Sequence, residues 1–568
     1  MLIIGVSYLA LPILLMLYFT IFTKHRILPI SLLAILLALY LMFIYFQLPS
    51  RNLLSIIDGN FFSGLLYMGC LIPLMYLSNH HEGLGKTDVI GTTIGGIEVG
   101  ILFILSIGGT ISSHMVVKPT YNSIVKTYAK TREAPTFKRG ETPIALSPST
   151  VLNRVRKASS DIPNTQYYTI SNNVQAQYYQ GRPVYIVPIE YNGFWQMVKA
   201  KSIPGYFMID ATRQNATAHF VKQEYKFATS AYFKKDAERQ IYRHCPEWLS
   251  IESPQLEIDD HGQPFWVQTL YQPEPLSHRI NYRKLEVAVM NAKTGEVKTY
   301  PTNRLPKFID EGITTGVASR INDDFGKYKY GYWNTKFGKT GIMKPTGNGV
   351  ENGVTSVFNR DGSISYFTDF TTDRTGGDSA LGYSMINARN GHLTFYQASN
   401  IMDSDGATDN ADQNYRAQHW NATMPILYNI NGHPTWVMNI LDATNAIRGY
   451  YYLDASDQSI HGSGSTPTSA LDDFRQSLVN NGGNAGNTEK AKMQNVSGTL
   501  DRVAVVSADK KVMFTLKNSK TIYTVNTDDY PNANLMRPDD QVTFKASILD
   551  NKSVGNVRSF VDKELQYY

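Results

Sequence analysis

The hydrophobic pattern divides the chain into a strongly apolar N-terminal part and a body in which apolar and polar positions alternate over short stretches. Apolar stretches cover residues 2–22, 27–46, 61–77 and 94–112. Since a membrane-spanning helix needs about 20 mostly apolar residues, the pattern predicts four such helices. The first stretch follows no basic segment and the second comes directly after it, which argues against a cleaved signal peptide. The fourth contains Glu98, an intramembrane acid whose role stays open.

Two short patterns recur in the body. The first, Gly-x-Pro-x-aromatic, predicts the start of a strand, because proline suits a first strand position and the following residues are β-branched or aromatic. The second is an apolar pair, then Asp or Asn, then Ala; it predicts a strand that ends in a polar turn. The copies of the first begin at Gly181, Gly262, Gly432 and, with Ile364 in place of proline, Gly362. The copies of the second end at Ala211, Ala292, Ala388 and Ala455.

Each copy is therefore predicted to be two antiparallel strands around a turn, in which Gly295 or Gly391 supplies a positive φ. Helices alternate with these strand pairs. Ser147 followed by Pro148 is a typical helix start and predicts a helix over 147–161. Residues 405–420 and 466–481 are also predicted to be helices.

The predicted fold is a membrane anchor of about four helices, an α+β body of tandem small antiparallel sheets with helices, and a C-terminal all-β barrel. The predicted domains are a transmembrane domain at 1–115, a basic connector at 116–146, a first pair of α+β modules at 147–310, a second pair at 311–480, a linker at 481–494 and the barrel at 495–568.

The stretches AVMNAKTGEVKTY (288–300) and SMINARNGHLTFY (384–396) resemble the strand–turn–strand core of PepSY-type domains. The resemblance covers about 12 residues in each of two good copies. The copies at Asp210 and Asp454 lack the turn glycine, which leaves their turn type open. The resemblance implies extracytoplasmic domains that act by binding, regulation or inhibition, and it transfers no catalytic residue.

The C-terminal region has five predicted strands, at 496–506, 511–517, 520–526, 541–548 and 555–561, with a turn at 536–540 before the fourth. This arrangement resembles an OB-fold, a barrel that binds single strands, oligosaccharides or proteins. A nucleic-acid site would need stacking aromatic and basic residues, and the candidates are Arg502, Lys510, Lys511, Lys517, Lys520 and Tyr523. A solvated barrel surface explains the same residues, and we favour that interpretation.

Charge and composition bear on the side of the membrane that the body occupies. The net charge of +6 excludes nothing by itself, and the two cysteines, Cys70 and Cys245, are not expected to form a disulfide because Cys70 lies in an apolar run. Lys24 and Arg26 favour a cytoplasmic loop between the first two helices, which places the body outside; the basic stretch 118–139 favours the opposite. We favour outside, because a body rich in Tyr, Asn, Thr, Ser and Gly resembles exported proteins of Gram-positive bacteria.

One aromatic cluster is the best candidate for a ligand contact. Tyr330, Tyr332, Trp333, Lys336 and Phe337 mix aromatic and basic side chains, which suits a glycan or a peptide, although such clusters also form cores. Gly338-Lys339-Thr340 is not a phosphate loop, because Trp333 stands where the loop needs glycine. A calcium loop is disfavoured in the acidic run Asp403, Asp405, Asp409 and Asp412, since only the first two alternate.

The sequence therefore nominates no catalytic residue, metal ligand or cofactor. The leading hypothesis is a non-enzymatic membrane protein whose body binds or regulates a wall polymer or another envelope protein, with membrane lipid as a further partner. A cytoplasm-facing scaffold whose barrel binds nucleic acid is an alternative. A wall-modifying enzyme is a second one, because an acid–base pair needs no contiguous motif.

Overall fold

The computed structural model describes residues 6–24, 26–49, 51–78, 84–129, 146–274, 277–372, 379–480, 491–506, 511–527, 529–549 and 554–564. The chain forms two compact units. The first comprises residues 1–130 and 148–398, and the second comprises 131–147 and 399–568. Most of the predicted basic connector and linker, at 130–145 and 481–490, lies outside the described residues.

The apolar N-terminal part is helical in the described residues. Its helices are α1 (Ala10–Phe22), α2 (Ile27–Gln47), α3 (Leu53–Ser78) and α4 (Lys86–Met115). Three of them, α2 to α4, are long and apolar enough to cross a membrane, whereas α1 has 13 residues. Helix α3 begins eight residues before the predicted apolar stretch and includes Asn60. The Asn60 side chain accepts from Leu11 N at 2.9 Å and donates to Ser7 O at 2.8 Å, so its polar groups are satisfied by the start of the neighbouring helix.

The body of the first unit adjoins one end of this helix bundle. Tyr242 Oη donates to Pro49 O at 2.6 Å, and Arg51 N donates to Pro246 O at 2.9 Å, so the α2–α3 connection is bound by the body. The backbone N–H of His278 donates to Ser113 Oγ, near the end of α4, at 3.0 Å. Lys24 and Arg26 lie between α1 and α2, at the start of α2, and are therefore at the other end of this helix from the α2–α3 connection that the body binds.

The remainder of the first unit contains five short helices and sixteen strands in its described residues. The helices are α5 (Lys118–Ser123), α6 (Pro148–Lys157), α7 (Phe194–Ala200), α8 (Ala237–His244) and α9 (Thr315–Lys327). The strands are β1 (Lys126–Tyr128), β2 (Tyr168–Ile170), β3 (Gln175–Tyr179), β4 (Arg182–Val187), β5 (Ile189–Tyr191), β6 (Tyr206–Asp210), β7 (His219–Val221), β8 (Gln255–Ile258), β9 (Pro264–Pro273), β10 (Ile280–Asn291), β11 (Val297–Pro301), β12 (Met343–Pro345), β13 (Thr355–Phe358), β14 (Ile364–Thr372), β15 (Ala380–Asn387) and β16 (Leu393–Gln397).

These strands form three main sheets, ordered β3-β4-β6-β7, β11-β10-β9-β8 and β1-β16-β15-β14-β12, with β13 also paired to β14 and a separate β2–β5 pair. The predicted helix at 147–161 is confirmed as α6, which begins at Pro148.

The second unit contains one further sheet and a ring of five strands. Its helices are α10 (Ser404–Asn414) and α11 (Pro467–Asn480), which confirm the two predicted ones. Its strands are β17 (Asn421–Ile430), β18 (His433–Leu441), β19 (Ile447–Asp454), β20 (His461–Gly464), β21 (Ala491–Val506), β22 (Lys511–Leu516), β23 (Ile522–Asn526), β24 (Gln541–Leu549) and β25 (Val554–Asp562). Strands β17 to β20 form a sheet in chain order.

The last five strands each pair with two neighbours, in the cyclic order β21-β22-β23-β25-β24. All pairs are antiparallel except β23 with β25. The five strands lie close to the predicted positions, and the first begins at Ala491, five residues earlier than predicted.

The two recurring sequence patterns meet in the same register at four places. In each, the Asp or Asn pairs with the residue three positions after the glycine: Val184 with Asp210, Phe265 with Asn291, Ser365 with Asn387 and Thr435 with Asp454. The alanine that follows is buried in all four, and its N–H donates to the carbonyl of the residue two positions after the glycine, at 2.8–3.1 Å.

The turn that follows each pair is closed by the Asp or Asn side chain. In each copy, Oδ1 of the Asp or Asn accepts the backbone N–H groups of the second and third residues after it. The donors are residues 212 and 213, 293 and 294, 389 and 390, and 456 and 457. Gly295 and Gly391 have φ values of +79° and +73°, which confirms the predicted glycine positions. Asp210 and Asp454 bind their turns in the same way although those copies lack the glycine.

Candidate functional site

The predicted ligand residues lie together on an exposed segment that follows α9. We call Tyr330, Tyr332, Trp333, Lys336 and Phe337 the aromatic platform. The segment leaves α9 through Gly331, whose φ is +86°, and residues 334–338 form one π-helical turn. Asn334 closes this turn, because its Oδ1 accepts from Thr340 N at 3.1 Å and its Nδ2 donates to Thr340 O at 3.0 Å.

The platform presents its rings to solvent. The Trp333 and Phe337 rings are stacked, with centroids 5.7 Å apart and an interplanar angle of 17°. Trp333 is 59% exposed and Phe337 is 80% exposed. Lys336 Nζ lies 5.8 Å from the centroid of the Tyr332 ring, so a cation accompanies the rings. The alternative that these rings form a core is therefore wrong for Trp333 and Phe337.

The platform adjoins the end of the helix bundle. A Cβ placed on Gly331 would lie 3.6 Å from Cε of Lys118, three residues beyond the last residue of α4. Arg279 Nη2 donates to Tyr328 Oη at 3.3 Å, and the same guanidinium binds the carbonyl of Ser113. Stacked rings of this exposure beside the end of the helix bundle are typical of a contact surface for another molecule.

A second cluster, which the sequence did not reveal, is buried. We call Glu257, Asp310 and Glu311 the carboxyl joint. Glu257 is on β8, and its two carboxylate oxygens accept the backbone N–H groups of Asp310 at 2.8 Å and Glu311 at 3.1 Å. Asp310 Oδ2 accepts Tyr178 N from β3 at 2.6 Å, and Glu311 accepts from Gln175 Nε2. The three carboxyl groups thus fix the segment before α9 against two different sheets.

Burial raises the pKa of each carboxyl group in this joint. The pKa of Glu257 is raised to about 8, first by burial and then by the charge of Asp310. That of Asp310 is raised to about 6 by burial, and that of Glu311 is raised well above its usual range by burial and the charge of Glu257. Nearby Glu351 has its pKa raised to about 7 by burial and by Glu252.

Perturbed carboxyl groups often mark active sites, but this joint is closed to a ligand. Glu257 is fully buried, Glu311 is 2% exposed and Asp310 is 8% exposed. Their oxygens are occupied by backbone and side-chain donors of the same unit. The arrangement can hold protons and fix a segment, and it offers no surface to a polymer substrate. The one local indication of this cluster in the sequence is Glu257, an acid within the apolar stretch QLEI at 255–258.

The remaining candidate residues form no site in the described residues, and two of the acids bind backbone N–H groups. Asp403 caps α10 by accepting Gly406 N at 3.1 Å, and Asp412 accepts Ala422 N at 2.6 Å. Within the described ranges, no group of three or more His, Cys, Asp or Glu side chains is placed to hold a metal ion. Both cysteines are free thiols. Glu98 is half-buried in α4.

Tyr523, the aromatic residue considered for a nucleic-acid site, is not available for stacking, whereas Arg502 and Lys520 are exposed. Tyr523 is 4% exposed and packs against Phe544 with ring centroids 4.8 Å apart, so it is a core residue. Lys511 pairs with Asp473 at 3.2 Å. Lys517 pairs with Asp539, and Lys510 lies outside the described residues.

Comparisons with known proteins do not identify a family. No protein-family model matches the chain, and no curated protein matches it. The C-terminal domain of Bacillus megaterium YpeB aligns at 13% identity over 43% of this chain and 96% of that chain, with a TM-score of 0.10. The polysaccharide lyase Uly1 aligns at 10% identity over 69% and 81%, with a TM-score of 0.15. MPT-4, a mannose phosphorylase from Leishmania mexicana, aligns at 10% identity over 71% and 89%, with a TM-score of 0.14. TM-scores this low carry no argument about fold or function.

Proposed function

We propose that this chain is a non-enzymatic, multi-pass membrane protein whose body binds or regulates another component of the cell envelope. The observation that carries the proposal is the stacked, exposed Trp333–Phe337 pair at the end of the body beside the helix bundle. Exposed aromatic pairs are costly in a soluble surface and are enriched where proteins bind partners.

In this proposal all four N-terminal helices cross the membrane. Helix α1 is the shortest, but helical residues also precede it at 6–8. Four crossings, with the body at one end, put Lys24 and Arg26 on the side opposite the body. Since basic loops are retained in the cytoplasm, the body is outside the cell.

The body is proposed to be four copies of a PepSY-like module followed by an OB-like barrel. The common register of the four strand pairs and the common turn bonding support a single repeated module. The cyclic strand order with one parallel pair supports the OB-like topology. Modules of both kinds serve as binding scaffolds, in which loops carry the contacts.

The aromatic platform is the proposed contact for the envelope component. Flat, exposed rings stack on the apolar faces of sugar rings or on peptide side chains, and Lys336 adds a cation for the phosphate or carboxylate groups of a wall polymer. Membrane lipid is a further partner through the helices.

Binding of purified wall polymer by the full chain in detergent tests this proposal. Truncating both Trp333 and Phe337 to Ala removes the stacked surface, and we expect affinity for wall polymer or envelope peptide to fall at least about tenfold. Trp195→Ala is the matched control, because it removes an exposed tryptophan of the same unit at a different place.

Equal binding by the double variant and the intact chain would remove the platform from the proposal. Equal loss in the Trp195→Ala control would show that exposed aromatic residues act non-specifically. Absence of binding to any wall polymer or envelope peptide would leave the binding function itself without support.

A further inference from the structure

A second exposed aromatic surface lies at the membrane end of the first unit, apart from the aromatic platform. It is built from α7 and from the turn before α8. We call Trp195, Val198, Tyr232 and Phe233, with Lys199 and Lys234, the interface patch. Trp195 is 69% exposed, Phe233 is 58% exposed and Val198 is 49% exposed. Both lysines are also exposed.

The patch is a built structure. The Phe194 ring packs against the rings of Trp195 at 5.1 Å, Tyr232 at 5.4 Å and Phe233 at 6.0 Å, measured between centroids. The backbone N–H of Tyr232 donates to the sulfur of buried Met197 at 3.2 Å. Two segments that are about 40 residues apart are thus fixed together by side-chain contacts.

Phe233 is held in an unusual conformation. Its φ is +57°, in the left-handed region that bulky side chains seldom adopt. A residue held there by its surroundings, with its ring exposed, is more typical of a functional contact than of a random surface position.

The depth of the patch follows from its contact with a membrane helix. The Phe233 ring lies 6.1 Å from the ring of Tyr45, two residues before the end of α2. Arg239 donates through Nε to Tyr45 O at 3.1 Å and places its guanidinium 4.2 Å from the Tyr45 centroid. Phe233 is therefore level with the last turn of an apolar helix, whereas the aromatic platform begins beside Lys118, beyond the end of α4.

We propose that the interface patch inserts into the headgroup region of the bilayer that the helices cross, and that Lys199 and Lys234 bind anionic lipid headgroups. Tryptophan and tyrosine favour this region because each ring has an apolar body and a polar tip, and lysine side chains reach from it toward phosphate. The inference rests on the proposed membrane anchoring, and it gives the body a second fixed point on the membrane besides its helices.

Continuity with the helix end favours lipid over another protein as the occupant. An aromatic surface level with Tyr45 is already at the depth of the bilayer surface when α2 spans it. Any protein partner there would also have to be embedded in the interface.

Quenching of tryptophan fluorescence by brominated lipid tests the assignment. The full chain is placed in nanodiscs whose phospholipids carry bromine near the headgroup end of the acyl chains. Trp195→Phe keeps a ring of similar character but removes the emitter, and Trp333→Phe is the matched control. Trp248, which is half-buried and lines a cavity with Gln47 and Pro49 at the end of α2, is a second tryptophan near this level, whereas Trp266 and Trp436 are buried. We therefore expect Trp195→Phe to lower the quenched part of the emission by roughly half. The control should leave it nearly unchanged.

Anionic lipid gives the second measurement. We expect quenching in the intact chain to rise when phosphatidylglycerol replaces part of the phosphatidylcholine, and this rise to disappear in the Lys199→Gln, Lys234→Gln variant. Equal quenching in Trp195→Phe and the intact chain would overturn the patch. Equal quenching in neutral and anionic discs would overturn the role of the lysines.

Failure of the membrane anchoring itself is distinguished by extraction of membranes at high pH. A chain released into the soluble fraction contradicts the anchoring. A chain that stays in the membrane while Trp195→Phe has no effect contradicts only the interface patch. If a bound envelope protein and not lipid covers the patch, the discs made from pure lipid show no quenching of Trp195, which also overturns the proposal.

Discussion

At the scale of single residues, the aromatic side chain of the recurring Gly-x-Pro-x-aromatic pattern is a core residue. Tyr185, Trp266, Tyr366 and Trp436 are all at most 2% exposed. In three of them the polar tip donates to a backbone carbonyl of the preceding segment: to Phe227 O at 2.7 Å, Ile313 O at 2.7 Å and Met402 O at 3.1 Å. In these three copies a buried ring with a satisfied donor attaches the strand pair to the segment before it, so the repeated aromatic position serves architecture.

The two turn glycines allow a matched test at the same scale. Both have positive φ, so alanine at either position is strained. A Cβ on Gly295 would lie 2.3 Å from Cζ of Phe227, whereas one on Gly391 has its nearest neighbours at 3.6 Å. We expect Gly391→Ala to destabilise its module by about 1 kcal/mol and Gly295→Ala by about 2–4 kcal/mol, because only the latter adds overpacking.

Thermal unfolding in detergent, followed by tryptophan fluorescence, measures this difference. Trp266 binds Phe227 O and therefore reports on the packing next to Gly295. Equal loss of stability in the two variants would mean that Phe227 moves aside and that backbone strain alone sets the cost.

At the scale of elements, the segment 305–314 connects three sheets of the first unit. Arg389, in the turn after β15, donates to the carbonyls of Leu305 at 3.0 Å and Pro306 at 3.2 Å. Ile313 N donates to Ala388 O at 2.8 Å, and Thr269 Oγ1 on β9 donates to Gly312 O at 2.9 Å. The carboxyl joint adds the contacts to β3 and β8. The three sheets are therefore connected through one irregular segment, and we expect its rigidity to depend on the protonation of the buried acids beside it.

This coupling predicts a pH dependence between about pH 5 and pH 9. The unfolded chain releases its aspartate and glutamate protons at about pH 4, whereas the pKa values of Asp310, Glu351 and Glu257 in the folded chain are raised to about 6, 7 and 8. Over this range the folded state binds more protons than the unfolded state, so stability is full at low pH and is lost as pH rises. We expect protection of segment 305–314 from hydrogen–deuterium exchange, corrected for the intrinsic rate, to fall roughly tenfold from pH 6 to pH 9.

Glu257→Gln separates the carboxyl joint from other causes. The amide is neutral at all pH values, and its oxygen can still accept one of the two backbone N–H groups that Glu257 binds. We expect the protection of segment 305–314 in this variant to change less between pH 6 and pH 9 than in the intact chain, because the carboxyl group whose pKa is raised to about 8 no longer titrates. Glu296→Gln, at an exposed carboxylate paired with Lys298, is the control and should keep the original profile. A Glu257→Gln profile as steep as that of the intact chain contradicts the assignment.

At the scale of the whole molecule, the predictable features are those with local signals. The helices at 148–157, 404–414 and 467–480 follow from caps and prolines next to them in the chain, and the turns follow from an Asn or Asp and a glycine. The carboxyl joint was not predictable, because Glu257 and Asp310 are 53 positions apart and meet only through tertiary packing. The exposure of Trp333 and the positive φ of Phe233 likewise depend on the surrounding fold, so the residues of the platform were predicted but their stacked geometry was not.

The side of the membrane is the property of the whole molecule that decides most about function. With the body of the first unit at one end of the bundle and Lys24 and Arg26 at the other, the positive-inside rule predicts that the body is outside. We expect a reporter that is active only outside the cytoplasm to be active when fused after residue 568, inactive when fused between α1 and α2, and active again between α2 and α3.

Replacing Lys24 and Arg26 with Glu should reduce the fraction of molecules whose body is outside the cell, because basic residues favour a cytoplasmic loop. Added protease should cleave the body in intact cells. If the body is instead protected in intact cells and exposed in inverted vesicles, the basic stretch 118–139 determines the orientation, the wall-polymer proposal fails, and binding of single-stranded nucleic acid by the five-stranded ring becomes the next measurement.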